Sequence, residues 1–272
     1  TYVISEETPI TIDFSGMVID LNGSTLQINP NERDDYSIFE FVDGAEEIRL
    51  TNGTIKGDRE STTPVNRKYG HGIVLKGGQR IQIDNITVKN ATGNGIRIEN
   101  CKDVQINKCT FIDNGNIQET ASPIFAVDFA LVEGKSIQNV TLSNSTFTTN
   151  AHDLGIKSGT NLVITGNVIA YPGNTSGRSA VRVYGKETVI TFKFTGNKIS
   201  NGNVVYELRE TESCEISGNE YKDINVISTR LPENSVITLT NEVFENCAFR
   251  PGTNFYNSDG TITLKLDATD KI

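Results

Sequence analysis

The sequence predicts an all-β protein that folds as a right-handed parallel β-helix, a solenoid of short strands. Eight copies of one phrase, apolar–x–apolar–x–small/polar–x–x–apolar, recur along its 272 residues. The third positions of the phrase are Leu50, Ile83, Ile106, Leu142, Ile164, Phe194, Ile216 and Leu239. They are separated by 33, 23, 36, 22, 30, 22 and 23 residues, so a period of 22 or 23 is interrupted by three insertions. A fixed period of this size indicates stacked units, each too small to bury its own apolar face.

Each part of the phrase predicts one element of a coil. Alternation of apolar and polar residues predicts a strand with one buried face. The fifth position, usually Asn or Gly, predicts a tight corner, because both residues tolerate left-handed backbone angles. The apolar residue three positions later starts the next strand. We therefore expect two or three strands per coil, stacked in parallel about 4.8 Å from the next coil. Aligned Asn residues at the corners are expected to form hydrogen-bonded ladders, and no helix longer than two turns is predicted.

A second strand precedes most copies of the phrase, at 72–75, 95–98, 126–129, 155–157 and 180–183. Alternation places the following apolar residues inside: Ile96, Ile98, Val127, Phe129, Ile156, Val181 and Val183. It places Val74, Arg97, Asp128, Lys157 and Arg182 outside, with Glu207 next if 204–208 forms the following strand. Insertions at 56–70, 113–125 and 171–178 all precede this outward ladder. They are expected to form three lips over one face, and such a face is where function is sought.

Composition restricts the class of protein. The net charge is −9 without a basic stripe, which argues against a nucleic-acid partner. No apolar stretch approaches the roughly 20 residues that cross a bilayer, so no membrane partner is expected. The four cysteines lack metal-site spacing and are expected to be reduced. The continuous repeat predicts one domain over 1–272. A start without Met and a single Met indicate a piece of a longer chain.

Two stretches resemble known families. Residues 93–111, Gly-Asn-Gly-Ile-Arg-Ile-Glu-Asn-Cys-Lys-Asp-Val-Gln-Ile-Asn-Lys-Cys-Thr-Phe, resemble the pectate-lyase-type right-handed β-helix superfamily. Residues 52–59, Asn-Gly-Thr-Ile-Lys-Gly-Asp-Arg, and 69–73, Tyr-Gly-His-Gly-Ile, resemble bacteriophage tailspike and pre-neck appendage proteins of Gram-positive hosts. The second resemblance implies an extracellular virion component, a homotrimer that binds and often cleaves a host surface polymer.

Carboxylates near the ladder are the candidate catalytic groups. Glycoside hydrolysis needs two carboxyls, one that donates a proton and one that acts as nucleophile or base, about 5–9.5 Å apart. Asp153 lies a few residues upstream of the Lys157 strand, directly above the Asp128 strand, so Asp128 and Asp153 are the predicted pair. Glu99 and Glu207 are the predicted substitutes. The alternative for Asp153 is a turn residue that bonds its own backbone.

Basic and aromatic residues near the same face are the candidate polymer-binding groups. Arg97, Lys157, Arg182, His152, Arg178 and Tyr184 are assigned this role. Arg binds phosphate through its forked donors, and imidazole changes charge near neutrality. A basic ladder on an acidic protein fits an anionic polymer such as teichoic acid, which is supported mainly by the appendage resemblance.

Three alternatives stay open from the sequence. The charge ladder is equally consistent with a solvated face of weak ion pairs. The protein is then a non-catalytic receptor-binding fibre, which the absence of Trp and of a sharp catalytic motif favours. A polysaccharide lyase or epimerase is the third alternative, with Arg or Lys as base, although the run of Asp residues typical of pectate lyases is missing. No cofactor is expected, and a divalent cation between Asp128, Asp153 and a polymer phosphate stays open.

Overall fold

The protein, analysed as a computed structural model, is a right-handed parallel β-helix, as the sequence predicts. The structure describes residues 1–5, 8–31, 36–61, 70–115, 124–173, 178–185, 190–208, 213–230, 238–248 and 265–266. These residues form 25 strands and one 3-10 turn, Arg59–Ser61. The first strands are β1 (Tyr2–Ile4), β2 (Ile10–Ile12), β3 (Val18–Asp20), β4 (Thr25–Ile28), β5 (Ser37–Phe41), β6 (Arg49–Lys56), β7 (His71–Leu75) and β8 (Gln79–Lys89). The next are β9 (Ile96–Ile98), β10 (Cys101–Asn107), β11 (Thr110–Ile112), β12 (Phe125–Phe129), β13 (Ile137–Ser143), β14 (Thr146–Thr148), β15 (His152–Ile156), β16 (Gly159–Thr165) and β17 (Val168–Ala170). The last are β18 (Ser179–Gly185), β19 (Ile190–Thr195), β20 (Lys198–Leu208), β21 (Ser213–Ser217), β22 (Glu220–Arg230), β23 (Thr238–Thr240), β24 (Val243–Glu245) and β25 (Lys265–Leu266).

All strand pairs in the described residues are parallel, and they form three stacks around a common core. The first sheet contains β2, β5, β7, β9, β12, β15, β18, β20 and β22. The second sheet contains β3, β6, β8, β10, β13, β16, β19, β21, β23 and β25. The third sheet contains β1, β4, β11, β14, β17 and β24, together with the C-terminal ends of β6 and β8 and the N-terminal ends of β20 and β22. One coil therefore contributes one strand, or one half of a long strand, to each sheet.

The register of the repeat is confirmed at both apolar positions of the phrase. All eight third positions align in the second sheet, from Leu50 opposite Ile83 to Ile216 opposite Leu239. The eighth positions align in the third sheet in the same way, ending with Tyr221 opposite Phe244. The residues of both columns, up to Ile216 in the second sheet and Phe244 in the third, form the core with the inner residues of the first sheet. Insertions between copies therefore leave the stacking of the coils unchanged.

The corners follow the sequence as well. The fifth position of every phrase has a left-handed backbone, with φ between 50° and 66°, and Lys108 is the one residue there that is neither Asn nor Gly. The next position carries a buried amide ladder. In Asn167, Asn197 and Asn219, the side-chain nitrogen and the backbone nitrogen both donate to the side-chain oxygen one coil further on. The predicted Asn ladder is thus confirmed, and it satisfies the buried backbone groups that a corner leaves unpaired.

Three further observations concern expectations from the sequence. All four cysteines are free, as predicted. No helix within the described ranges has the length and hydropathy to cross a membrane. Half or more of each predicted lip (62–69, 116–123 and 174–177) lies outside the described residues, so the lips stay predictions.

Candidate functional site

The outer face of the first sheet carries the predicted ladder in its central coils. Arg97 pairs with Asp128, Asp128 with Gly155, and Gly155 with Arg182. The side chains between these residues along each strand, such as Val127 and Phe129, are fully buried in the core. The outward column is therefore Val74, Arg97, Asp128, Gly155, Arg182 and Val205.

Two expected members of this column lie elsewhere. Gly155, not Lys157, is level with Asp128, because the inner pair of β15 is Leu154 and Ile156. Val205, not Glu207, is level with Arg182. The register expected from the sequence was wrong by two residues in both strands. A two-residue slip keeps every side chain on its face, so the alternating pattern cannot detect it. Lys157 and Glu207 belong to a second outward column, two residues further along each strand, together with Glu99 and Tyr184.

Asp128 is an enclosed carboxylate at the centre of the ladder. Its side chain is only 2% exposed, and Oδ2 accepts hydrogen bonds from Lys157 Nζ at 3.1 Å and from Arg97 Nη1 at 3.4 Å. Lys157 Nζ is also 3.1 Å from Oδ1, but only its contact with Oδ2 has hydrogen-bond geometry. Oδ1 thus accepts no hydrogen bond from the described residues. Oδ1 is itself buried, and the Lys157 ammonium 3.1 Å away compensates its charge although the contact lacks hydrogen-bond geometry.

Arg97 connects this carboxylate to a second one. Its Nε donates to Glu99 Oε1 at 2.7 Å, while Nη1 contacts Asp128. Nε and Nη1 point to different sides of the guanidinium, which keeps the two carboxylates apart while holding both. Glu99 is the more accessible of the two, with a side chain that is 22% exposed.

Asp153 is not brought to this outer face. Its position in β15 is level with Ala126 and Ala180, which belong to the core. The side chain is fully buried at the corner, where it accepts hydrogen bonds from Asn150 Nδ2 and Arg178. The strict alternation assumed from the sequence is broken here, since all five residues of β15 are buried. Asp153 therefore has no surface to offer a polymer in this arrangement.

Arg178 is a structural clamp in this geometry. It is 5% exposed, donates to the backbone oxygens of Asn150 and Asn201, and lies 4.5 Å from the ring centre of Tyr171. Burial lowers the pKa of this guanidinium to about 10. With Nε, Nη1 and Nη2 each bonded inside the protein, Arg178 is not placed to bind a surface ligand, in contrast to the expectation from the sequence.

The two histidines have equivalent environments. His71 Nδ1 accepts the backbone N–H of Asn94 at 2.9 Å, and His152 Nδ1 accepts that of Ser179 at 3.0 Å. Burial lowers the pKa of His71 to about 3 and that of His152 to about 4, with nearby cations adding to the effect. Both rings are therefore neutral near pH 7 and carry their proton on Nε2. His152 can act as a hydrogen-bond donor, but it does not change charge near neutrality as the sequence suggested.

The remaining predicted ligands are part-exposed at the next coil. The guanidinium of Arg182 lies 5.2 Å from the ring centre of Tyr184. Among the described residues no carboxylate forms an ion pair with Arg182. Glu207 is 1% exposed, so it is poorly placed to substitute for Glu99 as a surface acid. No group of three or more His, Cys, Asp or Glu side chains in the described part of the chain is arranged to hold a metal ion.

Comparison with known proteins agrees with this architecture. A model of the right-handed β-helix region matches residues 15–169, more than half of the chain. The chain belongs to the right-handed β-helix family. Its fold and the β-helix part of the predicted resemblance are thereby confirmed, whereas the tailspike resemblance is not addressed. No curated protein matches the sequence.

Solved structures also resemble this β-helix protein. One is a C387A mutant of DFA-IIIase from Arthrobacter chlorophenolicus A6 in complex with DFA-III, with 10% identity and a TM-score of 0.38. A second structure of DFA-IIIase from the same organism has 10% identity and a TM-score of 0.37. The alignments cover 91% and 85% of this chain, but only 66% and 60% of those chains. At these scores the likeness concerns general architecture alone.

The β-helix protein has one important site residue that sequence reasoning missed. Phe125 is 1% exposed but does not belong to the contiguous core. Its ring covers Gly155, lies 5.6 Å from the His152 ring, and has Lys157 Nζ 5.5 Å from its centre. Strict alternation groups Phe125 with the inner residues Val127 and Phe129. The one signal in the sequence was Gly155, one coil further on, in a column of otherwise larger residues. A glycine there leaves room for a large side chain from the preceding coil.

Proposed function

We propose that this protein binds and hydrolyses a bacterial cell-surface polymer, a polysaccharide or teichoic acid, with Asp128 and Glu99 as the reacting carboxyls. The observation that carries the proposal is the Arg97 bridge between these two carboxylates. It joins a part-exposed acid to an enclosed carboxylate. Hydrolysis of a glycosidic bond uses two carboxyls, one as proton donor and one as nucleophile or base, and this pair is the proposed one.

The environments of the two carboxyls support different roles. Asp128 contacts two cations, Arg97 and Lys157, which hold its side chain in place. It is the proposed base or nucleophile. Glu99, whose side chain is 22% exposed, is the carboxyl that a bound polymer can reach, and it is the proposed proton donor to the leaving oxygen. Glu99 thus replaces Asp153 as the partner of Asp128.

Polymer binding is assigned to the groups around this pair. Arg182 and Tyr184 present a cation and an aromatic edge one coil beyond Gly155. His152 adds a neutral ring with a donor nitrogen. Unneutralised positive charge on a protein of net charge −9 favours anionic groups of a polymer at this place.

The biological setting of the proposal comes from the resemblance of 52–59 and 69–73 to phage tailspike and pre-neck appendage proteins. We place the protein in a virion, outside the cell, as a homotrimer. Purified protein would be incubated with cell walls, capsular polysaccharides and teichoic acids of Gram-positive bacteria, and released fragments identified by mass spectrometry. Cleavage that falls by about 10²–10⁴-fold in Asp128→Asn and in Glu99→Gln supports the pair. Cleavage that is unchanged in both variants contradicts it.

A non-catalytic receptor-binding fibre is the second candidate function. The observation that favours it is the enclosure of Asp128, whose side chain is 2% exposed. Binding of a polymer by the wild type without release of fragments, even after long incubation, would assign the protein to this class. A lyase would instead give products with a new double bond, which absorb ultraviolet light.

A further inference from the structure

A groove runs along one corner of the solenoid, between the first and second sheets. We call it the corner trough. Its volume is about 310 Å³, and its lining residues are Asp43, Gly44, Ala45, Glu46, Gly78, Gln79, Asn100, Cys101, Lys102, Ser136 and Gln138. Pockets that bind small molecules or short oligomers have volumes of roughly 300–1,000 Å³. The corner trough therefore has room for a ligand, and the roles above do not use it.

The floor of the trough is main chain. Ala45 and Cys101 turn their side chains into the core, and Gly78 lies between them in the stack of coils. Gly78 has φ +96° and would place a Cβ 2.7 Å from Ala45 O, so a larger residue does not fit there. Small and inward-turned residues in three successive coils thus keep the floor open.

The walls of the trough are polar side chains in register. One wall is a column of Glu46, Gln79, Lys102 and Gln138, one residue per coil. Four coils span about 14 Å, because successive strands are about 4.8 Å apart. The column presents donors and acceptors at a constant spacing along the axis of the solenoid. Such a regular array suits an extended polymer more than a single small molecule.

Charge in the trough has both signs and is partly compensated. Arg80 forms an ion pair with Glu46. Lys102 is exposed on the same wall, and Asp43 is exposed on the opposite side. With amides and a hydroxyl between these charges, the lining is suited to the hydroxyl groups of sugars or polyols. It is less suited to a dense row of anionic groups.

The trough adjoins the Asp128–Glu99 pair. Asn100, on its wall, directly follows Glu99, and both backbone nitrogens donate to Leu75 O. Ser136 and Gln138 belong to the coil that contains Asp128. A chain that leaves the carboxylate pair toward the second sheet would therefore enter the trough.

We infer that the corner trough is a glycan-binding subsite, which holds the hydroxyl-rich part of the polymer on the Glu99 side of the site. The inference rests on the proposed function for the identity of the polymer. It assigns the trough a role in affinity and leaves cleavage to Asp128 and Glu99.

The test uses the Asp128→Asn variant as a background that binds without cleaving. The trough variant adds Gln79→Ala and Lys102→Ala. The matched control adds Gln82→Ala and Gln105→Ala, which lie three residues further along the same strands and are exposed outside the trough. Thermal melts establish that all chains are folded. Isothermal titration then measures affinity for purified teichoic acid and capsular polysaccharide, and for short oligomers of the same polymer.

The expected result is a Kd for long polymer that is about tenfold weaker in the trough variant, as the loss of two hydrogen bonds predicts. The control is expected to stay within about twofold, and so is the affinity of every chain for the shortest oligomers. Equal affinity of trough variant and control for long polymer overturns the inference, even if Asp128→Asn abolishes cleavage. If wild type binds polymer without cleaving it, the proposal of hydrolysis is wrong, and the affinities of the trough variant and the control still test the trough. If no polymer of the panel binds, both proposals fail.

Discussion

The ring of Phe125 lies directly over the α-carbon of Gly155, where a Cβ would come within 2.4 Å of it. The ring belongs to the coil of Asp128 and the glycine to the next coil. Lys157 and His152 both contact this ring. The Phe125 ring, packed on Gly155, thus contacts one charged and one polar side chain of the candidate site.

Gly155→Ala is expected to destabilise the protein by about 1–3 kcal/mol, because the new methyl group displaces the Phe125 ring. Gly155 does not have a left-handed backbone, so alanine itself is tolerated by the main chain. Chemical denaturation measures the change. In a Phe125→Ala background, which removes the ring, the same substitution should cost much less. Equal costs in the two backgrounds would show that ring and glycine do not interact.

Arg97→Lys is expected to lower polymer cleavage by about 10–100-fold, because one ammonium cannot bridge Glu99 and Asp128 as the guanidinium does. Positive charge is retained, so the change tests geometry. Initial rates on the cleaved polymer measure the effect. Lys193→Arg, at an exposed ion pair with Glu215 in the second sheet, is the control and should keep full activity.

Arg178→Ala is expected to cost about 3–5 kcal/mol of unfolding free energy, since it leaves the buried Asp153 carboxylate without its cation. The double variant Arg178→Ala with Asp153→Asn should recover part of this loss. A double-mutant cycle by denaturant unfolding gives the coupling. Additive effects of the two substitutions would contradict the buried pair.

Acid is expected to destabilise the protein through its two histidines. The unfolded chain has His pKa values near 6.5, whereas the native pKa values are about 3 for His71 and about 4 for His152. Below pH 6.5 the unfolded state therefore binds protons that the native state does not. The histidine contribution is fully present above pH 6.5 and is lost as the pH falls toward 4 for His152 and 3 for His71. Unfolding free energies of wild type and His152→Gln should converge over that range, and two-dimensional NMR should show neutral rings at pH 6.

Asn197→Ala is expected to cost about 1–3 kcal/mol, because it leaves buried partners on both sides of the ladder unsatisfied. Asn107→Ala is the comparison, since that side chain accepts hydrogen bonds at a more exposed corner. It should cost clearly less. Thermal and urea unfolding measure both, and a similar loss in the two variants would argue against a special role of the buried ladder.

The fold was predictable from the sequence because its determinants are local and repeated. A left-handed corner at Asn52, Asn85 and Asn144 is a property of single residues, and the phrase repeats it in every coil. The register of Leu50 over Ile83 follows from burying the same face each time. Eight repetitions of one pattern therefore fixed strand, corner and stacking together.

The site was less predictable because it depends on exceptions to the pattern. Alternation cannot distinguish Gly155 from Lys157 as the neighbour of Asp128, since both alignments bury apolar residues. It also places Asp153 outside and Phe125 in the core, whereas Asp153 is fully buried and the Phe125 ring covers Gly155 outside the contiguous core. The Arg97 bridge depends on side-chain conformations that no spacing in the sequence encodes.

The stacking of coils has a consequence for how damage spreads. Each coil pairs only with the coils before and after it, so stability is close to a sum over neighbours. A destabilising substitution near either end is then expected to unfold a few neighbouring coils and to leave the rest of the solenoid folded. Asp128 and Glu99 lie several coils from both ends of the described stack. Coils on either side can therefore unfold before the geometry of these two carboxylates changes.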